Sequence, residues 1–516
     1  MVSSPPAGDR RNERRDRRNA AIADWAEPDL ARRSLRIGTL SLDLRLVIGG
    51  LALAATAVLI TILPPGPVGV LTAAIATLAL AADRRLGPLP AALLVALAIP
   101  WGRGADTLTW EVGGLPIRPH DAILGIGMLL AAPVLVRRRP RRGPTLVLLA
   151  ALMVLGVVGV GVGLVADHPF RDIFRDVRWW AFYGAAILAL FGATTRSQLL
   201  RGLLIGMSLF SAIVIVAALL PVFAGGLKEQ ELLYDRGTLR MQFGNSAFLL
   251  PAIAYVASAV LDRRRMVDVA WLLLLVTAVI VSLTRTSIAA TILVIGLVYV
   301  VDVVARRGQG VTVAAHAGGL ARLALAGVVA LGLGVGIDIA GTPPAGEVAT
   351  SGGSSGEQPL DRIFMQEARS DLGSLEEGRF PSYRAAAARI LAAPLTGPGM
   401  GSLTRVDYAY SDARANTIGY SPGVDNAYLT VGLKTGVPGM LVFAGLVLAT
   451  LAVAVRRGGR AARWFVPAWL GLVILSMTQA FAGSLYGPYA FALLMAFPCL
   501  QWGASMWRRD GRTDRA

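Results

Sequence analysis

Asp425 and Asn426 stand directly before an apolar run that then carries a lone Lys434, Gly436 and Gly439, in the stretch "VDNAYLTVGLKTGVPGM". A segment meant only to sit in hydrocarbon would avoid this set, because charge inside a bilayer is costly and usually marks function. Asp425 can accept a proton from a hydroxyl or orient a sugar. The Asp-Asn pair also suits the start of a helix, where both residue types cap free N–H groups. The residue types allow both roles. Gly436 and Gly439 suit close backbone packing or a turn into a helix.

A second set is cationic. Arg236 and Arg240 lie in "DRGTLRMQFGN", Arg285 in "SLTRTS", and Arg379, Arg384 and Arg389 in "GRFPSYRAAAARILAAP". A guanidinium is a planar fork of donors that stays charged, and it matches phosphate oxygens. Arg285 falls between two apolar segments with almost no loop, so its head lies at an interface. It reads either as an anchor that snorkels into headgroups or as an anion clamp. Arg171, Arg175 and Arg178 are expected to pair with Asp172 and Asp176 along one helix.

These residues must be positioned by membrane helices. The chain has 516 residues, of which 55% are hydrophobic and only 16% charged, with mean hydropathy +0.59. A soluble chain carries about a quarter charged residues. Apolar runs of about 20 residues recur, each long enough to cross hydrocarbon. They fall near 44–63, 67–83, 86–100, 121–136, 144–166, 179–195, 201–223, 245–261, 267–283, 287–305, 321–341, 437–455, 464–482 and 486–506. The fold expected is an all-α polytopic membrane protein with about 12–14 transmembrane helices.

The net charge of +17 is almost wholly arginine. It reads as basic cytoplasmic loops rather than as a nucleic-acid surface. With both termini inside, Arg84-Arg85, "RRRPRR", Arg196 with Arg201, "RRR" at 263–265, Arg306-Arg307 and "RRGGRAAR" all fall on the cytoplasmic side. Residues 1–43 read as a basic cytoplasmic tail without a signal peptide, 44–341 and 437–506 as membrane helices, and 507–516 as a second cytoplasmic tail. Residues 342–436 read as one large outer segment. Within it "PSYRAAAARILA" reads as a helix on the membrane surface, with Tyr383, Ala387, Ile390 and Leu391 on one face.

Cys499 is the single cysteine, so no disulfide within the chain is possible. With His only at 120, 168 and 316 and no HExxH pattern, neither a metal site nor a cofactor is expected. An anion that would meet arginines on the outer face is a lipid diphosphate, with its polyprenyl tail in the bilayer. Its diphosphate is also a leaving group whose developing charge the same arginines could stabilise.

Four stretches resemble the O-antigen ligase and O-antigen polymerase family of bacterial membrane glycosyltransferases: "LPIRPHDAILG" (115–125), "SLTRTSIAATIL" (282–293), "GRFPSYRAAAARILAAPLTGPGMGSL" (378–403) and "DNAYLTVGLKTGVPG" (425–439). The third contains the Pro-Leu-x-Gly-x-Gly pattern with Gly397 and Gly399. The fourth matches a His-Asn-x9-Gly-x-x-Gly pattern in Asn426, Gly436 and Gly439, with Asp425 where the family usually has His.

The resemblance implies a GT-C-like helical enzyme in the cytoplasmic membrane. It would move a glycan from undecaprenyl diphosphate to a sugar or lipid hydroxyl on the outer face, without metal or nucleotide sugar. Arg285 and Arg379 are the expected catalytic cations, and Asp425 the acceptor-side group. Arg236, Arg240, Arg384, Tyr383 and Asn426 are the expected substrate contacts. Two rivals are a metal-dependent lipid-phosphate-sugar glycosyltransferase using Asp106 and Glu111, and a transporter of lipid-linked glycans.

Overall fold

Proline and glycine cut the apolar sequence into helices. Pro88, Pro119 and Pro144 each take a first helical position, where a missing N–H costs nothing and φ is already helical. The computed structural model describes residues 67–99, 110–219, 244–306, 313–341, 380–407 and 418–501, interrupted at 84, 113–114, 141–142, 264, 283–284, 422, 425 and 478–486. The tails, the span expected at 44–63 and much of 342–436 lie outside the described residues.

Helices α1 (Pro67–Ala81) and α2 (Pro88–Ala98) lead to an antiparallel hairpin of β1 (Trp110–Val112) and β2 (Leu115–Ile117). There follow α3 (Pro119–Ala131), α4 (Pro144–Val165), α5 (Phe170–Ala181), α6 (Gly184–Leu188) and α7 (Arg196–Leu219). Next come α8 (Leu249–Arg263), α9 (Met266–Val281), α10 (Arg285–Arg306) and α11 (Val313–Gly341). The last part holds α12 (Phe380–Ala392), a second hairpin of β3 (Thr404–Asp407) and β4 (Ile418–Ser421), then α13 (Ala427–Arg457), α14 (Gly459–Ser476) and α15 (Gly487–Ala496).

The protein is an all-α polytopic membrane protein with two small hairpins. Among the described residues seven helices are long and apolar enough to cross a membrane, and Pro88–Ala98, Met266–Val281 and Gly487–Cys499 are shorter apolar helices. Helix α4 shows why lipid is the solvent. It is strongly apolar yet mostly unburied by protein. Val157 and Val165 point outward while Gly156, Gly159 and Gly163 point inward. A water-facing helix would reverse that order; small residues inside let neighbouring backbones approach. At Gly156 the space for a Cβ is taken by Trp180, whose Nε1 donates to Leu152 O at 2.9 Å.

Two spans differ from expectation. The run expected as one span at 179–195 is divided between the end of α5, α6 and a π-helical turn at Ala189–Ala193. Gly192 ends it in the left-handed region, at φ 88, and Arg138 Nη1 donates to its carbonyl at 3.0 Å. Helix α13 begins at Ala427 rather than near 437, and a break at Gly436 falls inside it.

The basic clusters meet at one end of the helices. Arg196, 1% exposed, donates to Phe497 O at 3.0 Å and Pro498 O at 2.6 Å, and Arg457 shares the Pro498 carbonyl. Arg201 reaches Arg85 O at 3.0 Å. Asp262 and Asp302, near the ends of α8 and α10, are gripped by Arg306, Arg460 and Arg463. Above this end, α13–α15 share an aromatic core in which Phe465 stacks on Phe497 and Trp469 on Phe491, with centroids 5.1 and 4.9 Å apart. The opposite ends of the helices, beside the two hairpins and α12, carry the motifs.

Candidate functional site

Helix α12 is held by one narrow stripe. Ala386 and Ile390 are buried against Val424 and Leu433, with Tyr383 packed beside them. Residues 383, 386 and 390 fall on one line at 100° per residue. Leu391 lies one step past it and is 71% exposed, so the stripe buried against protein runs through Ala386. That stripe meets protein, chiefly the first half of α13. Arg384 points away and is exposed, whereas Arg389 donates to Leu403 O.

Between α12 and β3 the "APLTGPGMGSL" loop wedges between α4 and α13. Gly397, Gly399 and Gly401 adopt φ of 65, 88 and 82, conformations natural only to glycine. Two of the recognised motifs interlock here. A Cβ on Gly397 would lie 2.5 Å from Gly432 O and 2.7 Å from Gly436 N, and a Cβ on Gly436 would lie 2.7 Å from Pro394 O. Gly436 itself has φ 72, and Val437 N donates to Pro394 O at 2.8 Å. The break in α13 is therefore shaped by the loop seated against it, followed by Pro438. Gly399 abuts Gly163 of α4, and Gly439 packs on Thr435 of its own helix.

Four loop amides already have partners. Gly397 N donates to Ala393 O, Met400 N to Gly159 O, Ser402 N to Gly399 O, and Gly401 N to Asp176 Oδ2 at 2.8 Å. Three of its carbonyls are taken as well: His168 Nδ1 lies 2.8 Å from Met400 O, Lys434 Nζ donates to Ser402 O at 2.7 Å, and Arg389 takes Leu403 O. These amides are not free to cradle a phosphate.

Replacing Gly397 by Ala therefore should cost about 1–2 kcal/mol for the left-handed backbone, with about 1–3 kcal/mol more for overpacking. Gly161, with nothing near its Cβ position, supplies the control. Thermal melting of the detergent-solubilised protein should show a clear drop for Gly397→Ala. Equal melting of Gly397→Ala and Gly161→Ala would contradict the wedge.

The charge pairs of α5 depart from the expected i,i+3 and i,i+4 scheme. Arg175 does pair with Asp172, at 2.8 Å. Arg178, however, reaches Asp121 of α3 at 2.6 Å, and Asp121 also accepts from Arg118 N, capping α3. Asp176 pairs with Lys434 of α13 at 2.7 Å. Sequence singled out Lys434 as anomalous but supplied no partner, because Asp176 is far away along the chain and already had nearer arginines.

Asn426 is the cap of α13: its side chain accepts from Leu429 N at 3.0 Å. The capping role allowed for Asp425 is thus corrected, since the helix starts one residue later. Asn426 Nδ2 also donates to Met477 O at 3.1 Å, the same carbonyl that Tyr383 OH approaches at 3.4 Å. Two of the expected substrate contacts, Tyr383 and Asn426, therefore converge on the end of α14, and Arg384 extends from the same helix as Tyr383.

Arg285 is the first residue of α10. Helix α10 packs along α14, and its far end, Arg306, lies in the basic cluster. The backbone of Arg285 is thereby at the end where α14 presents Met477. Asp425, Arg379, Arg236, Arg240 and Asp106 lie outside the described residues; Glu111 is on β1. Among the described residues no group of three His, Cys, Asp or Glu could hold a metal ion.

The model of the O-antigen ligase family matches residues 270–444. No curated protein matches the chain. The matched stretch runs from α9 through Arg285 and the wedged loop into the first half of α13, and contains three of the four motif stretches. Residues 270–444 of the chain are thus similar to the O-antigen ligase family.

Proposed function

We propose that the protein is a membrane glycosyltransferase that joins a glycan from a polyprenyl-diphosphate-linked donor to a sugar or lipid hydroxyl. The observation that carries this reading is the interlock of the matched region's two glycine motifs, Gly397 against Gly436. It holds arginine-bearing α12 at the end of the helices away from the basic clusters. Arg285 and Arg379 would bind the diphosphate, with Arg236, Arg240 and Arg384 around them. Asp425 would orient or deprotonate the acceptor hydroxyl. The acceptor oxygen forms a bond to the anomeric carbon as the bond to the diphosphate breaks, and the guanidinium groups stabilise the charge that collects on the leaving group. No metal is assigned to this step.

The basic end is assigned to the cytoplasm, in keeping with the distribution of arginine in short loops. Residues 342–436 and the reaction would then lie outside. A cysteine at 354, placed by Ser354→Cys in a Cys499→Ser background, should react with an impermeant thiol reagent in intact cells. Labelling only after the cytoplasm is opened would overturn both the orientation and the outer placement of the site.

The break in α13 gives the transporter reading one specific support, since discontinuous helices serve substrate sites in transporters. In transporters such breaks lie near the midplane, whereas Gly436 is close to the loop end of a helix running to Arg457. The function is tested by glycan analysis of a deletion strain. Loss of the joined glycan with accumulation of lipid-linked precursor is expected, single repeat units indicating a polymerase and long lipid-linked chains a ligase. An unchanged glycan profile would contradict the assignment.

A further inference from the structure

Lys434 and Asp176 form an ion pair 2.7 Å apart with side chains 3% and 2% exposed. A pair this buried is a poor device for stability alone. Well-packed neutral residues of similar volume often do as well or better, while its best-attested use is to specify one arrangement. The other contacts of the pair show which arrangement. Lys434 Nζ donates to Ser402 O at 2.7 Å and lies 3.3 Å from Ser402 Oγ. Asp176 Oδ2 accepts from Gly401 N at 2.8 Å, and Arg175 Nε lies 3.6 Å from its other oxygen.

The pair thus grips two consecutive residues of the wedged loop, one from α5 and one from α13. The next residue, Leu403, is gripped by Arg389 of α12. Residues 401–403 are in this way the junction of three helices. A shift of the loop would be transmitted to α12 and to Arg384 on its exposed face.

We propose that Lys434 and Asp176 are positioning residues for donor recognition: their ion pair fixes the 393–403 loop so that α12 presents Arg384 where a lipid diphosphate can meet it. This rests on the donor reading above. Neither residue touches the donor. They act through the loop, and small misplacement of a binding group is enough to lose much of its effect.

The test uses the full chain in nanodiscs with undecaprenyl diphosphate as the probe. It compares wild type, the double variant Lys434→Met/Asp176→Asn, and Asp176→Glu. The double variant leaves no stranded charge, and Asn at 176 can still accept from Gly401 N. It should melt close to wild type yet bind the probe about tenfold more weakly or worse. Asp176→Glu keeps both charges and displaces the carboxylate by one methylene, so its binding should fall in the same direction. It also decides the matter should the double variant fail to fold.

A purely structural role would lower melting without changing the affinity of the folded fraction. Folded variants binding as wild type does would overturn the inference while leaving the donor reading intact. A wild-type protein that does not bind undecaprenyl diphosphate would overturn the donor reading, and this inference with it.

Discussion

Asp425→Asn is expected to lower glycan-transfer turnover about 100- to 10,000-fold, the range a general base contributes, with melting unchanged. The cap of α13 comes from Asn426, whose side chain bonds Leu429 N at 3.0 Å, so replacing Asp425 does not remove it. For the same reason Asp425→Ala should fold as well as Asp425→Asn and be equally slow. Binding of undecaprenyl diphosphate should persist in both, because the arginines hold the diphosphate independently of the acceptor side. Melting, probe binding and turnover measured on one preparation separate these effects. Near-full turnover in Asp425→Asn would remove the carboxylate from the reaction and leave the acceptor to be activated by another group.

The second large effect is expected at the arginines. Arg285→Ala and Arg379→Ala should each reduce transfer while the protein still inserts and folds. A charge-assisted hydrogen bond is worth about 1.5–3 kcal/mol, or about 10- to 150-fold in rate, and more where it strengthens as the leaving group departs. Lysine should restore activity only in part, since it keeps the charge and loses the fork. Arg285 opens α10 at the end opposite the Arg306 cluster, a placement that suits an anchor as well as a clamp. Kinetics distinguish them: full activity in both Arg285→Lys and Arg285→Ala would make it an anchor.

What the sequence made legible follows from the physics of each signal. Apolar length identified nearly every described helix, because the bilayer sets a length that composition alone reveals. The 179–195 run was misread as one span because its apolar content is continuous while Gly192 breaks its backbone. The membrane span expected from 437 begins earlier, at Ala427, because Lys434 interrupts the apolar run on paper, whereas in the fold it is buried against Asp176. Long-range pairs such as Arg178–Asp121 leave no local trace, since nearer carboxylates offer equally good partners on paper. The glycines of "PLTGPGMG" and "GVPG" were legible as special backbone positions, but their mutual docking was not. Only the fold shows that Gly397 and Gly436 leave no room for each other's Cβ.

Under the proposed function, this chain itself joins glycans from a lipid diphosphate without a metal ion. The most direct test reconstitutes the purified protein in liposomes with lipid-linked glycan extracted from a deletion strain, in the presence of EDTA. Joined glycan product together with released polyprenyl diphosphate is expected, at a rate indifferent to the chelator and lowered about 10- to 150-fold by Arg285→Ala. Movement of intact lipid-linked glycan across the bilayer with no new glycosidic bond, or joining that EDTA stops and added magnesium or manganese restores, would contradict that function.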